Sequence, residues 1–169
     1  MFTPLASPRR ADIPGPPTLG CGTLPTMGVR RGAEVAARRQ GDGDRLFEAF
    51  RRTGGVATGS EVARLLRDCV DQPISLLARW IVSRQVITFA WRADSLLPLF
   101  QFDFARGCVR AGVPPVLSEL SGAMDDEEVA LWFTQPNAWL AGGTPAGAVA
   151  TNAAGVLQAA RADRFIAVG

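Results

Sequence analysis

Thirteen of the first 43 residues are proline or glycine, six and seven respectively. Backbone of that composition gains little by ordering, because it has few apolar side chains to offset the conformational entropy lost, and those few show no helical or strand spacing. The chain is therefore expected to divide into a disordered leader, 1–43, and a body that builds its core from the remaining residues. Within the leader only Val29–Gln40 is compatible with a short helix, through Gly32-Ala-Glu-Val-Ala-Ala-Arg-Arg.

With 169 residues, 47% apolar and 20% charged, the chain has material for one domain or two small coupled modules. Its charge is uneven. Residues 1–52 hold 9 Arg against 5 acids, whereas 53–169 hold 9 Arg against 11 acids, so the basic balance belongs to the leader and first helix.

Apolar spacing lays out the body. From Asp44, residues Leu46, Phe47 and Phe50 share one helical face, and Gly54-Gly55 ends that helix. Thr58 or Ser60 can cap Glu61–Cys69, where Val62, Leu65, Leu66 and Cys69 recur at i, i+3, i+4 and i+7. A third helix from Ile74 to about Arg84 follows Pro73, with Ile74, Leu77, Ala78 and Ile81 at the same spacing. Two short helices joined by a turn outline a helix-turn-helix, on which Ser75, Arg79 and Arg84 are the candidate DNA contacts. Val86–Trp91 and Leu96–Phe102 read as a hairpin around Arg92-Ala-Asp-Ser95, the arrangement of a winged helix. Pro98 confines its strand to an edge or a short pairing, and Phe100 and Phe102 fall on one strand face, suited to the core.

The last third is helical. Pro114-Pro115 starts Val116–Leu120, Asp125 with Glu128 opens a helix over Val129–Thr134, Thr144-Pro145 begins another, and Asn152 caps a longer one. In that last helix Val156, Leu157, Ala160 and Phe165 supply the apolar face, to about Ala167. The expected fold is mainly α: a helix-turn-helix-like module with a small β-hairpin at 44–104, then a C-terminal helical domain at 105–169.

Three absences bound the chemistry. The chain has no His, no Lys and no Tyr, so every basic residue is Arg. A Ser-His-Asp or Cys-His relay, a His-containing zinc site, a P-loop lysine and a Schiff-base lysine are excluded. The run Asp125–Glu128 fans out at about 100° per residue, so its carboxylates cannot converge on one cation or reacting atom and instead suit a helix start. Ala141-Gly-Gly-Thr144 lacks the lysine and preceding strand of a phosphate loop. No enzymatic activity, catalytic residue, metal or cofactor is expected. Cys21, Cys69 and Cys108 are odd in number and 48 and 39 residues apart, which suits a reducing cytoplasm rather than a disulfide framework. No signal-peptide pattern and no run of 18 apolar residues occurs, so neither secretion nor membrane insertion is expected. The Arg pairs at 9/10, 30/31, 38/39 and 51/52 are spread along the chain and read first as a solvated leader, with a weak, salt-sensitive attraction to phosphate as the alternative.

Trp132, Phe133, Trp139 and Leu140 flank Pro136-Asn137, which makes either a hinge packed by aromatics or an exposed aromatic anchor for a partner. On the terminal helix Arg161 and Arg164 offer charge and Phe165 offers apolar area, unless Phe165 completes the core.

Two stretches carry more than pattern: Leu97-Pro98-Leu99-Phe100-Gln101-Phe102-Asp103, and Trp132-Phe133-Thr134-Gln135-Pro136-Asn137-Ala138-Trp139-Leu140-Ala141-Gly142-Gly143-Thr144-Pro145. With the Ala/Leu helix downstream, the chain over roughly 55–168 resembles bacterial antitoxin-type proteins with the Xre/MbcA/ParS toxin-binding domain. The resemblance implies a non-enzymatic, all-α protein that forms a homodimer, often binds DNA near its own promoter, and blocks a toxin encoded beside it, frequently a RES-domain toxin acting on NAD. On that reading Trp132, Asn137, Trp139, Arg161, Arg164 and Phe165 meet the toxin. The competing reading is a DNA-binding transcriptional regulator that uses Ser75, Arg79 and Arg84.

Overall fold

The computed structural model describes residues 41–168. Residues 1–40 of the expected leader lie outside the described residues, and 41–43 are helical, belonging to the first element, α1 (41–51). The body therefore begins earlier than Asp44. Gly43 explains the extension, since a Cβ there would lie 2.6 Å from the carbonyl oxygen of Ala90 and would hold the helix off the neighbouring strand. Asp44 is committed to that contact as well, accepting a hydrogen bond from Trp91 Nε1 at 2.8 Å.

After α1 come β1 (Val56–Thr58), α2 (Gly59–Leu66), α3 (Pro73–Val82), β2 (Phe89–Trp91), β3 (Asp94–Pro98) and a 3-10 turn at Leu99–Gln101. The short pair β4 (Phe102–Asp103) and β5 (Cys108–Val109) follows. The remainder is α4 (Val113–Leu120), α5 (Asp126–Thr134), a 3-10 turn at Ala138–Leu140, α6 (Pro145–Ala148) and α7 (Ala153–Val168). The class is mixed but helix-rich, with more β structure than a single hairpin.

Local chemistry explains the helix starts. Thr58 Oγ1 accepts from Glu61 N while Glu61 Oε2 accepts from Thr58 N at 2.8 Å, and Asp125 and Glu128 exchange the same pair of bonds at 2.8 and 2.9 Å. Each box satisfies two backbone donors that a helix start leaves free.

The three-stranded antiparallel sheet has the order β1-β3-β2, with Ala57 opposite Leu97 and Phe89 opposite Leu96. β3 is thus the central strand rather than an edge, and of the two placements expected from Pro98 the short pairing is the one found, three residues on each side. The proline is tolerated because it is the last residue of that strand. β1 was not expected. Gly54 and Gly55, at φ 104° and 90°, turn the chain after α1 so that Val56 can pair with Pro98. The hairpin turn is only Arg92-Ala93, because Trp91 already pairs with Asp94.

Phe100 and Phe102 do not share a strand face, because the 3-10 turn intervenes and sends them into different clusters. Phe100 packs against Phe50 and Phe133, with ring centroids 5.7 and 5.1 Å apart, while Phe102 lies 6.0 Å from Trp80. The larger cluster joins Leu46 and Phe50 of α1 and Phe89 of β2 to Val113, Leu120, Phe133 and Val156 from the C-terminal helices. It crosses the expected 104/105 boundary. The smaller cluster holds Ala57, Val62, Leu66, Leu77, Trp80 and Leu97, so α2 and α3 pack mainly on each other and on β1 and β3. Between them, fully buried Gln101 accepts from Ile87 N at 2.8 Å and donates to Ile87 O at 3.0 Å, replacing a strand pairing that the buried Val86-Ile87 segment lacks.

Candidate functional site

The C-terminal site is organised by Asp163, a residue that sequence spacing does not single out. Its Oδ2 accepts from Trp132 Nε1 of α5 and from Asn137 Nδ2, both at 2.7 Å. Asn137 also shapes the turn: its Oδ1 accepts from Trp139 N at 2.9 Å, its carbonyl accepts from Leu140 N and Gly142 N, and its own N–H donates to Gly143 O. Ala141 and Gly142 take left-handed backbone conformations to close the loop, at φ 54° and 81°. Thr144 Oγ1 then caps α6 through Gly147 N at 3.2 Å.

The candidate partner residues therefore separate. Trp132 and Asn137 are buried and hold the turn against α7 rather than facing outward. Trp139 is 65% exposed. Phe165 is 80% exposed and does not join the apolar face of α7, which is formed by Val156, Ala159 and Ala160. Five positions separate Ala160 from Phe165, which turns Phe165 away from that face. Ile166, not anticipated, is 74% exposed. It follows Asp163 by three residues, so it extends the buried face of α7 past the point where the body covers it. Trp139 on the turn that Asp163 ties to α7, and Phe165 and Ile166 near the end of α7, are thus the exposed large apolar side chains of the C-terminal region.

Arg161 and Arg164 are both engaged by Glu119 of α4, at 3.6 and 2.6 Å. The Arg164 hydrogen bond is the main reason that the Glu119 carboxyl lies below its ordinary value of 4.5, with the two positive charges adding to it and burial opposing it. These arginines clamp α7 on α4 while keeping about half of their side-chain surface exposed.

Among the candidate DNA contacts, Ser75 and Arg79 are exposed on α3. Arg84 lies beyond the end of that helix, in a left-handed conformation at φ 53°, and forms an ion pair with Asp126 at the start of α5. A cleft of about 350 Å³ opens beside this pair, lined by Ser83, Thr88, Leu117 and Ser121 among others. Among the described residues no three His, Cys, Asp or Glu side chains group to hold a metal ion, and no helix is long and apolar enough to cross a membrane. Compared with protein-family models, curated proteins and solved structures, the chain matches none.

Proposed function

We propose that this protein is an antitoxin that binds and neutralises a toxin enzyme encoded beside it, using the C-terminal end formed by the 137–143 turn and α7. The observation that carries the reading is the double hydrogen bond to Asp163 Oδ2, which ties the Trp132-Phe133…Pro136-Asn137 segment to α7 while Trp139, Phe165 and Ile166 remain uncovered. Three large apolar side chains held on a fixed frame lose little entropy on docking, and Trp is enriched among residues that dominate binding energy. Arg161 and Arg164 beside them supply positive charge at the rim. The resemblance in the same segment supports a RES-domain toxin acting on NAD as the partner class.

The test is co-expression with the adjacent gene product. Trp139→Ala and the double change Phe165→Ser with Ile166→Ser alter exposed side chains only, so they should leave folding intact. Both should abolish copurification and restore toxicity. Full protection by both variants would defeat the reading.

A second reading, a DNA-binding regulator, is favoured by the order α1-β1-α2-α3-β2-β3 with a β1-β3-β2 sheet, the layout of a winged helix. Its test is anisotropy of labelled promoter DNA across a salt series, with loss of binding in Arg79→Ala.

A further inference from the structure

A groove of about 510 Å³ runs between α2 and α3. The two helices close its floor: Ala63 and Leu77 are buried, and a Cβ on Gly59 would lie 3.7 Å from Leu77 Cδ2. Its walls stay open. On α3, Ile74 is 74% and Ile81 is 38% exposed, and they stand seven positions apart on one helix face, about two turns or roughly 10 Å. Leu77 and Trp80 already bury α3 in the core, so neither isoleucine is needed there.

The α2 side of the groove is basic. Arg64 and Arg67 line it, both exposed, and no acid lines it among the described residues. Glu61, three positions before Arg64, is committed instead to the start of α2, where its Oε2 accepts from Thr58 N and Thr58 Oγ1 at 2.8 and 2.9 Å. Among the described residues neither arginine forms an ion pair.

Shape and charge together select an occupant. A two-turn apolar trough fits the convex face of an amphipathic helix, whereas a bilayer presents a flat surface. Carboxylates flanking that face would meet Arg64 and Arg67. The chain does not carry such a segment in residues 1–40, which hold six Arg against two acids. A second copy of the groove would bring the same two arginines and repel. The phosphates of a duplex would satisfy the arginines but set Ile74 and Ile81 against a charged backbone.

We propose that the α2–α3 groove binds an acidic amphipathic helix of a partner protein. Apolar side chains of that helix at i, i+3 or i+4 and i+7 seat between Ile74 and Ile81, and its carboxylates pair with Arg64 and Arg67. The site uses no residue of the 137–143 turn or of α7, so it is independent of the toxin-binding end. Two turns of contact with exposed charges make the binding weak and salt-sensitive, with a Kd of roughly 1–100 µM.

Fluorescence anisotropy of a labelled synthetic peptide, titrated with the full chain, tests this. The peptide carries leucines at that spacing, glutamates flanking them and alanine elsewhere, and a twin has lysine in place of each glutamate. The acidic peptide should bind and weaken as salt rises, and the twin should bind at least about tenfold more weakly. Ile74→Ser should weaken the acidic peptide about tenfold. Arg64→Glu combined with Arg67→Glu should weaken it about tenfold or more and transfer binding to the lysine twin. All three positions are exposed, and circular dichroism checks that the variants fold. No binding of the acidic peptide overturns the proposal, as does equal affinity for the two peptides or indifference to the groove changes. Loss of binding in Phe165→Ser, with Ile74→Ser unaffected, would put the peptide at α7 and also overturns it. So does displacement of the peptide by duplex DNA or phosphatidylglycerol vesicles that bind more tightly through the same arginines, which would assign the groove to a nucleic acid or a membrane.

Discussion

Trp132 and Asp163, 31 positions apart, meet where the indole N–H donates to the carboxylate at 2.7 Å, and the oxygen that accepts it also accepts from Asn137. One atom thereby joins α5, the 137–143 turn and α7. Asp163→Ala leaves two donors without their acceptor in a partly buried setting, at a cost of about 2–4 kcal/mol. Denaturant unfolding measures it, and Asp163→Asn, which keeps an acceptor oxygen, should lose less. Equal stability of Asp163→Ala and wild type would show that the turn is held by other contacts.

Gln101 is fully buried and satisfies both backbone groups of Ile87. Gln101→Leu matches its size but strands an N–H and a C=O in the core, so a loss of about 2–4 kcal/mol is expected. Hydrogen exchange at the Ile87 amide should accelerate in the same variant. Unchanged protection there would contradict the assigned bond.

The clamp of Arg161 and Arg164 on Glu119 makes part of the stability depend on pH. The folded-state value of Glu119 lies below 4.5, chiefly through its hydrogen bond to Arg164. A depressed carboxyl contributes stability that is present above 4.5 and is lost as pH falls through the lowered folded value. Wild type should therefore exceed Glu119→Gln in stability at neutral pH, with the gap closing in acid. A gap that persists at the acid end would contradict the ion pair as its source.

Gly112 lies where the starts of α4 and α7 meet, and a Cβ there would approach Ala153 Cβ to 2.7 Å and Val149 Cγ2 to 3.0 Å. Gly112→Ala should destabilise by about 1–3 kcal/mol through overpacking, and Ala is also the poorer residue at the N-cap position that Gly112 holds. A rise in thermal midpoint would show that the two helices have room to separate.

The features legible in the sequence are those set within a few residues. The Asp125–Glu128 box, the Thr144-Pro145 start and the Asn152 cap need only a helix turn to act, and Asn152 Oδ1 accepts from Gly155 N as its position implies. Thr58 rather than Ser60 caps α2, and it does so through Glu61, three positions on. Strands of two or three residues carry no periodic signal of their own. β1 exists because β3 lies beside it, and β4 because Val109 pairs with Phe102. The site was half legible for the same reason. Trp132, Asn137 and Trp139 stand out by residue type, but which of them is covered depends on Asp163, 26 and 31 positions away from the two it binds. Phe165 fitted an apolar helix face by composition, yet that face follows Val156, Ala159 and Ala160.

Calorimetric titration of the purified protein with a catalytically inactive form of the adjacent gene product tests the central claim most directly. Binding with an affinity that falls by roughly 30-fold or more in Trp139→Ala and in Phe165→Ser, about 2 kcal/mol each, is the predicted result. Undiminished affinity in both variants, with their folding intact, would contradict it.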